Sequence, residues 1–313
     1  VAYQSDDLLV EVRRLGSLPA AGGSTGVEDA DLFAHADSCI RDTIVPLMLG
    51  VREELYERVF DVTVTAGTAP YRINKRAALS RLNTVQWVNS DSSGYNLLRY
   101  EPKQVADLCL LTTAQGQPMA YYLEGSRVVL YPAPNGSGTL RVRAFVRPGR
   151  LALSAATGSK AASAVSGSAT TSWVLTIASG HGWTTSTPID VVSGTPSFEY
   201  LALDTLPTAA DATSITLPGS AFSTAPAIGD FVCAPDTSPF IQLPVELHPA
   251  LFELTVARIL RALGKGKESA DHAEEAQRLV SIGIQALTPR IDTADRKILG
   301  GPHFRRRGIW GFQ

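Results

Sequence analysis

The sequence predicts an α+β fold. Helices from the two ends of the chain form one bundle, with a β-hairpin region and an inserted small all-β module between them. Three observations predict it. Apolar residues recur at helical spacing near both ends, most strongly in LPVELHPALFELTVARILRALG (Leu243–Gly264), where Phe252, Val256, Ile259 and Leu263 are spaced four, three and four. From about residue 60 to 150 the pattern changes to period two. Composition then shifts: between Leu151 and Ala257 there is no arginine, and Lys160 is the only lysine. The expected units are 1–154 (N-terminal helices and β region), 155–235 (inserted all-β module), 236–295 (C-terminal helices packing on the first ones) and 296–313 (an extended arm).

In chain order, Ser5 is the expected cap of a first helix, with Asp6 and Asp7 favoured in its first turn and Leu8, Leu9, Val12 and Leu15 on its apolar side. PAAGGSTG is a connector. A second helix is expected from Glu28 to Arg58. Leu32, Ala36 and Ile40, then Leu47, Val51 and Leu55, form its stripe, with a kink or a break near Val45 because Pro46 removes a backbone donor. Strands are expected at Phe60–Thr65, Tyr71–Asn74, Leu82–Val88 and Tyr95–Tyr100, and a short helix from Pro102 to Leu111. In AYYLEGSRVVLYPAPNGSGTLRVRAFVRPGRL, two or three strands are expected, with Arg141, Arg143 and Arg147 on the face opposite Val142, Ala144 and Val146.

Short β-branched runs at Trp173–Ile177, Pro188–Val192 and Ser214–Leu217 make up the module, bounded by SAATGSKAASAVSG and APDTSP. Pro249 suits the first turn of the next helix, whose opposite side carries Glu246, Glu253, Ala257 and Arg261. Gly264 suits its end. A last helix, Lys267–Leu287, has a face of Ala273, Ala276, Val280, Gly283 and Leu287, small enough for close approach.

Charge is nearly balanced, with 28 Lys plus Arg against 30 Asp plus Glu, which argues against a protein that grips a phosphate backbone over a wide area. Cys39, Cys109 and Cys233 are scattered and form no CxxC, so neither a zinc knuckle nor a disulfide framework is indicated. No apolar run spans a bilayer, and VAYQSDDLLVEV lacks the basic start of a signal peptide.

No catalytic set emerges. His35 and Cys39 could share a metal but have no third ligand nearby, and a half-buried helix face explains them better. His248 at a helix start reads as capping or packing. GKGKES lacks P-loop spacing and follows a helix, so it reads as a helix–helix turn. GxSxG, HExxH and GxGxxG are absent. The expectation is a protein that is not an enzyme and carries no cofactor or metal.

The tail is the unusual segment. After Asp295 it has five basic residues and no acid, together with Phe304, Ile309, Trp310 and Phe312. Burying Trp310 and Phe312 would remove about 150–250 Å² each from water, several kcal/mol for the pair at roughly 25 cal/mol/Å². A partner groove is therefore the expected destination, contacted by Phe304, Arg305, Arg306, Arg307, Ile309, Trp310 and Phe312. The near-neutral balance favours partner carboxylates over nucleic-acid phosphates for the arginines.

The succession of an acid-capped helix, IVPLMLGVREELYER, the Arg-alternating strand pair at Tyr121–Arg150, a β insertion and LPVELHPALFELTVARILRALGKGKESADHAEEA resembles the head-to-tail adaptor (connector) proteins of tailed bacteriophages. The resemblance implies a homo-oligomeric ring, usually of twelve subunits, in the virion at the head–tail junction. Such a ring docks under the portal protein, takes a tail or nozzle protein on its far side, and lets double-stranded DNA pass. It also implies a C-terminal arm that reaches the portal, synthesis in the host cytoplasm and no membrane partner. A competing reading is a tail-fibre or glycan-binding module built on 155–235, with Trp173, Trp183 and Tyr200 as a platform, although core aromatics are the blander reading of those three.

Overall fold

A computed structural model describes residues 4–19, 27–74, 76–89, 93–101, 115–154, 158–194, 199–222 and 224–288. The expected helix at 102–111 and the tail residues Phe304, Arg305, Arg306, Arg307, Ile309, Trp310 and Phe312 lie outside the described residues.

The fold is mixed α and β. Helix α1 (Ser5–Leu15) has the expected apolar side, with Leu8 and Val12 fully buried. Its cap differs from expectation. Gln4 is the N-cap, and its N–H donates to the Asp7 carboxylate at 3.0 Å. Ser5 is buried instead: its hydroxyl donates to the Ala152 carbonyl and its N–H to the Pro239 carbonyl.

Helix α2 (Asp29–Cys39) passes through a π turn (Ile40–Ile44) into α3 (Val45–Val51), so the irregularity next to Val45 is a π turn in a helix that runs on, where a kink or a break was expected. A π turn inserts one residue and rotates the face that follows. Ile44, Val45, Met48 and Leu49 are therefore buried, while Leu47, expected on the stripe, is 42% exposed. The helix also stops short of Arg58. Arg52 leaves helical geometry, a 3-10 turn covers Glu53–Tyr56, and strand starts at Glu57.

Strands follow as β1 (Glu57–Val64), β2 (Pro70–Arg72), β3 (Ala77–Val88), β4 (Gly94–Asn96), β5 (Leu98–Arg99), β6 (Gln115–Gly116), β7 (Ala120–Glu124), β8 (Arg127–Tyr131), β9 (Ala133–Pro134), β10 (Gly138–Val146) and β11 (Arg150–Leu151). Two four-stranded sheets result, in the orders β1-β10-β3-β4 and β2-β8-β7-β5. Their shared core holds Val85, Trp87, Leu97, Tyr121, Leu130, Leu140 and Val142. The single strand expected at Tyr95–Tyr100 is split at buried Leu97, whose N–H donates to Val85; β4 joins one sheet and β5 the other.

Strands β12 (Ser159–Gly167), β13 (Ser172–Ile177), β14 (Ile189–Val192), β15 (Tyr200–Thr205), β16 (Ala209–Ala210), β17 (Ser214–Pro218) and β18 (Phe231–Cys233) form one sheet, in the order β15-β14-β18-β12-β13-β17-β16. SKAASAVSG, read from sequence as a boundary segment, is the middle strand β12. One of its alanines packs: Ala162 is buried among Leu175, Ile177 and Val232, while Ala161 and Ala164 are exposed. A last short strand, β19 (Thr237–Ser238), pairs in parallel with β11, so the chain leaves for this sheet and returns from it side by side.

Helices α4 (His248–Ala262) and α5 (Gly266–Leu287) close the chain. On α4, Leu251, Val256 and Ile259 share one core with Leu8, Val12, Leu32, Ala36, Ile44 and Met48. Ala257 was expected on the side opposite the apolar stripe. It is buried, as is Leu260, because α4 packs on α1 and α2 with one side and on α5 with the other. Leu263 falls beyond the helix and is 50% exposed, and Gly264 turns the chain at φ +78°. Ser269 donates to the Ala257 carbonyl at 2.8 Å, tying the start of α5 to the middle of α4.

Gly283 sits where α5 meets the turn before α4: an added Cβ would lie 2.5 Å from Leu247 Cδ2 and 3.1 Å from the Glu246 carbonyl. Gly283→Val should therefore destabilise by about 1–3 kcal/mol through overpacking, despite the better helix former. Thermal unfolding checks this, and an unchanged or raised Tm contradicts close packing at that point.

Candidate functional site

The side chains weighed as chemical groups turn out to be packing groups. Cys39 is fully buried, and burial pushes its thiol above the ordinary value. Among the described residues no three His, Cys, Asp or Glu side chains gather as a metal site. His248 is buried at the start of α4, 3.0 Å from the Leu243 carbonyl, and burial lowers its pKa. The three aromatics of the glycan-platform reading are not brought together. Trp183 is buried in the core of the seven-stranded sheet, stacked on His181 at 5.1 Å. Tyr200 is buried in a separate cluster with Val146, Phe231 and Phe240, and Trp173 is half-buried.

Sequence reasoning missed a buried polar junction. Arg76, 4% exposed, precedes β3 and reaches into the seven-stranded sheet. Its Nη1 donates to Asp190 Oδ2 at 2.5 Å and its Nη2 to the Tyr200 hydroxyl at 2.7 Å; the guanidinium carbon lies 5.0 Å from the Tyr200 ring centre. Tyr200 donates onward to Gln242 Oε1, which also accepts the Gly149 N–H. Asp190 further accepts the N–H groups of Asp204 and Asp236. Burial works against the Arg76 charge, but Tyr200 and Asp190 outweigh it and hold the guanidinium above its ordinary pKa. The junction joins the β3 start, the seven-stranded sheet and the segment before α4. One signal was present in the sequence: a lone carboxylate inside the apolar run Ile189–Val192.

The arginines of β10 behave as expected. Leu140, Val142 and Ala144 are buried, while Arg141 and Arg143 point the other way. Arg141 makes two bonds to Asp61 at 2.9 and 2.8 Å, and Arg143 lies 3.4 Å from Glu57. Both acids belong to β1: Asp61 stands directly across from Arg141, and Glu57 lies diagonally from Arg143, which is opposite Val59. This face is therefore charged but neutralised, which suits passing contact with a polyanion rather than retention.

Exposed apolar side chains are scattered over the fold, with Ile228, Val10 and Leu206 among them. Leu98 and Met119, also well exposed, adjoin through the Leu98 N–H to Met119 carbonyl bond. Val245, before α4, and Ile282, on α5, are each 50% exposed. A groove of about 600 Å³ runs between β1 and β15, lined by residues 57–61 and 199–203 and closed by Ser220, Ala221 and Phe222. No helix among the described residues is long and apolar enough to cross a membrane.

A family model described as SU10 adaptor protein matches residues 4–181, more than half of the chain. No curated protein matches. The matched span holds α1–α3, the paired four-stranded sheets and part of the seven-stranded one; α4 and α5 lie beyond it and are joined to it by the shared core.

Two measurements test the internal electrostatics. Arg76→Met should cost about 3–5 kcal/mol, because it leaves Asp190 buried without its cation; a loss under 1 kcal/mol in denaturant unfolding contradicts the junction. Asp37 accepts the Leu151 N–H at 3.0 Å, yet burial raises its pKa to about 6. The folded state then holds a proton that the unfolded state has released between about pH 4 and 6. This group's contribution therefore favours folding at low pH and is lost as pH rises through 6. Asp37→Asn should stabilise by about 1–2 kcal/mol at pH 7.5, after discounting for partial exposure, and should flatten stability between pH 4 and 6. A variant with the parent's pH slope contradicts it.

Proposed function

The chain belongs to the SU10 adaptor protein family, a family of structural phage proteins, and from that premise we propose that it forms the head-to-tail adaptor ring of a virion. In this reading the ring joins the portal protein to a tail or nozzle protein and extends the channel through which double-stranded DNA passes. Its copy number is twelve, it needs no cofactor, it catalyses no reaction and it makes no membrane contact. It is assembled from subunits made in the host cytoplasm.

The family match is the observation that carries this proposal. Physical features support the finer parts. Helices from both ends share one core around α4, giving a bundle stiff enough to act as a repeated wedge. The Leu98–Met119 and Val245–Ile282 exposures lie on different elements, as a head-to-tail contact needs, since a ring closes by matching two unlike faces. The β1–β10 face presents paired charges, and a channel wall must not hold DNA by counterion release. The seven-stranded sheet lacks the aromatic platform of the glycan-binding reading, so nothing favours that alternative.

The C-terminal residues Phe304, Arg305, Arg306, Arg307, Ile309, Trp310 and Phe312 are proposed as the portal-binding arm. A chain ending at Thr293 should still fold and should lose portal binding in sedimentation or pull-down with purified portal. Normal binding by that truncated chain removes the arm from the account. Met119→Asp should leave the subunit folded and abolish ring formation on the portal; rings of normal size from that variant exclude the hairpin face as a subunit contact.

A further inference from the structure

Two sheets end beside the same groove. β1 is the outer strand of its sheet and β15 the outer strand of the seven-stranded sheet. In a strand, alternate side chains point to opposite faces. A groove lined by five consecutive residues of β1, 57–61, and by four of β15, 200–203, with Glu199 before them and Arg143 from β10, takes in both faces of each outer strand and so includes their edges. An outer strand presents main-chain donors and acceptors to whatever lies alongside, which makes it a template for one more strand. Val59 is 47% exposed at this edge, and Phe60 and Leu203 are only partly buried.

We propose that in the free subunit this groove holds the chain's own C-terminal segment, 297–313, as an added strand. The root of that segment is in the right place. Arg52 Nη1 donates to the Leu287 carbonyl at 3.4 Å, so α5 ends against the residue that leads into β1. The eight residues 289–296 can span up to about 26 Å when extended, enough to reach the groove from there. The three aromatics have strand parity: Phe304, Trp310 and Phe312 are separated by even steps and share one face, with Arg306 among them, while Arg305, Arg307 and Ile309 fall on the other. Charge adds only a small bias: Glu57, Asp61 and Glu199 line the groove against Arg58 and Arg143, with Asp61 also paired to Arg141, and the tail after Asp295 has five cations and no acid. A free subunit with Trp310 and Phe312 in water would carry an adhesive patch, and parking them removes it until the portal competes for the same segment. The inference uses the tail that the adaptor reading sends to the portal, but it concerns the subunit alone.

Hydrogen exchange on the full chain without portal tests it. Residues 57–64 and 200–205 should exchange about tenfold slower in the full chain than in the chain ending at Thr293, with 140–146 on β10 unchanged as a folding control. The full-length double variant Trp310→Asp/Phe312→Asp should show the same loss of protection, and a synthetic 297–313 peptide added to the truncated chain should restore it. Equal exchange in full and truncated chains overturns the proposal. So does protection that grows with protein concentration in the full chain and not in the truncated one, which would place a second copy's tail in the groove. Either failure leaves portal binding, measured separately, untouched.

Discussion

Burial of α4 on two sides is the constraint that organises this molecule. A helix with one apolar stripe needs one partner, but α4 buries Leu251, Val256 and Ile259 against α1 and α2, and Ala257 near α5. It can do so only if the chain brings both its ends to the same place. The whole β portion must then leave and return at neighbouring points. The parallel pair β11–β19 shows how: Arg150 stands beside Thr237 and Leu151 beside Ser238. The start of α1 is tied in at the same spot, through Ser5 to Ala152 and Pro239.

The second requirement is registration between sheets that share little apolar surface. Val146, Val192, Tyr200, Phe231 and Phe240 give a modest contact between them. The Arg76–Asp190–Tyr200–Gln242 network crosses that contact with directional bonds. A buried ion pair adds little net stability over a well-packed apolar equivalent, yet is costly to break, so it favours one relative placement over others.

Much of the helical part was legible because amphipathic periodicity is a local signal. The first face of α4, its Gly264 stop, the small-residue face of α5 and an irregularity next to Pro46 all follow from spacing and backbone chemistry. What failed was non-local or cumulative. Ala257 was placed opposite the apolar stripe because periodicity gave the next helix a small-residue face but not the side of α4 on which it packs. The π turn shifted the stripe after Ile44, so Leu47 was placed on the wrong face. SKAASAVSG looked like a boundary segment because its residues are small and polar; most of them are exposed or half-buried, and only its place between β18 and β13 makes it a strand. Asp190 could have been flagged within its apolar run, but its partner Arg76 is far away in sequence. Of the proposed site, the tail was legible only as an unusual composition.

The functional account rests on terminal helices fused into one wedge and repeated around a channel. Electron microscopy of the particle's portal vertex tests this most directly. The account predicts a closed ring beneath the portal, each subunit's density fitting α1–α3 and α4–α5 as one body. Density for this protein found only away from the vertex, or subunits in which the two sets of helices are separated, would contradict it.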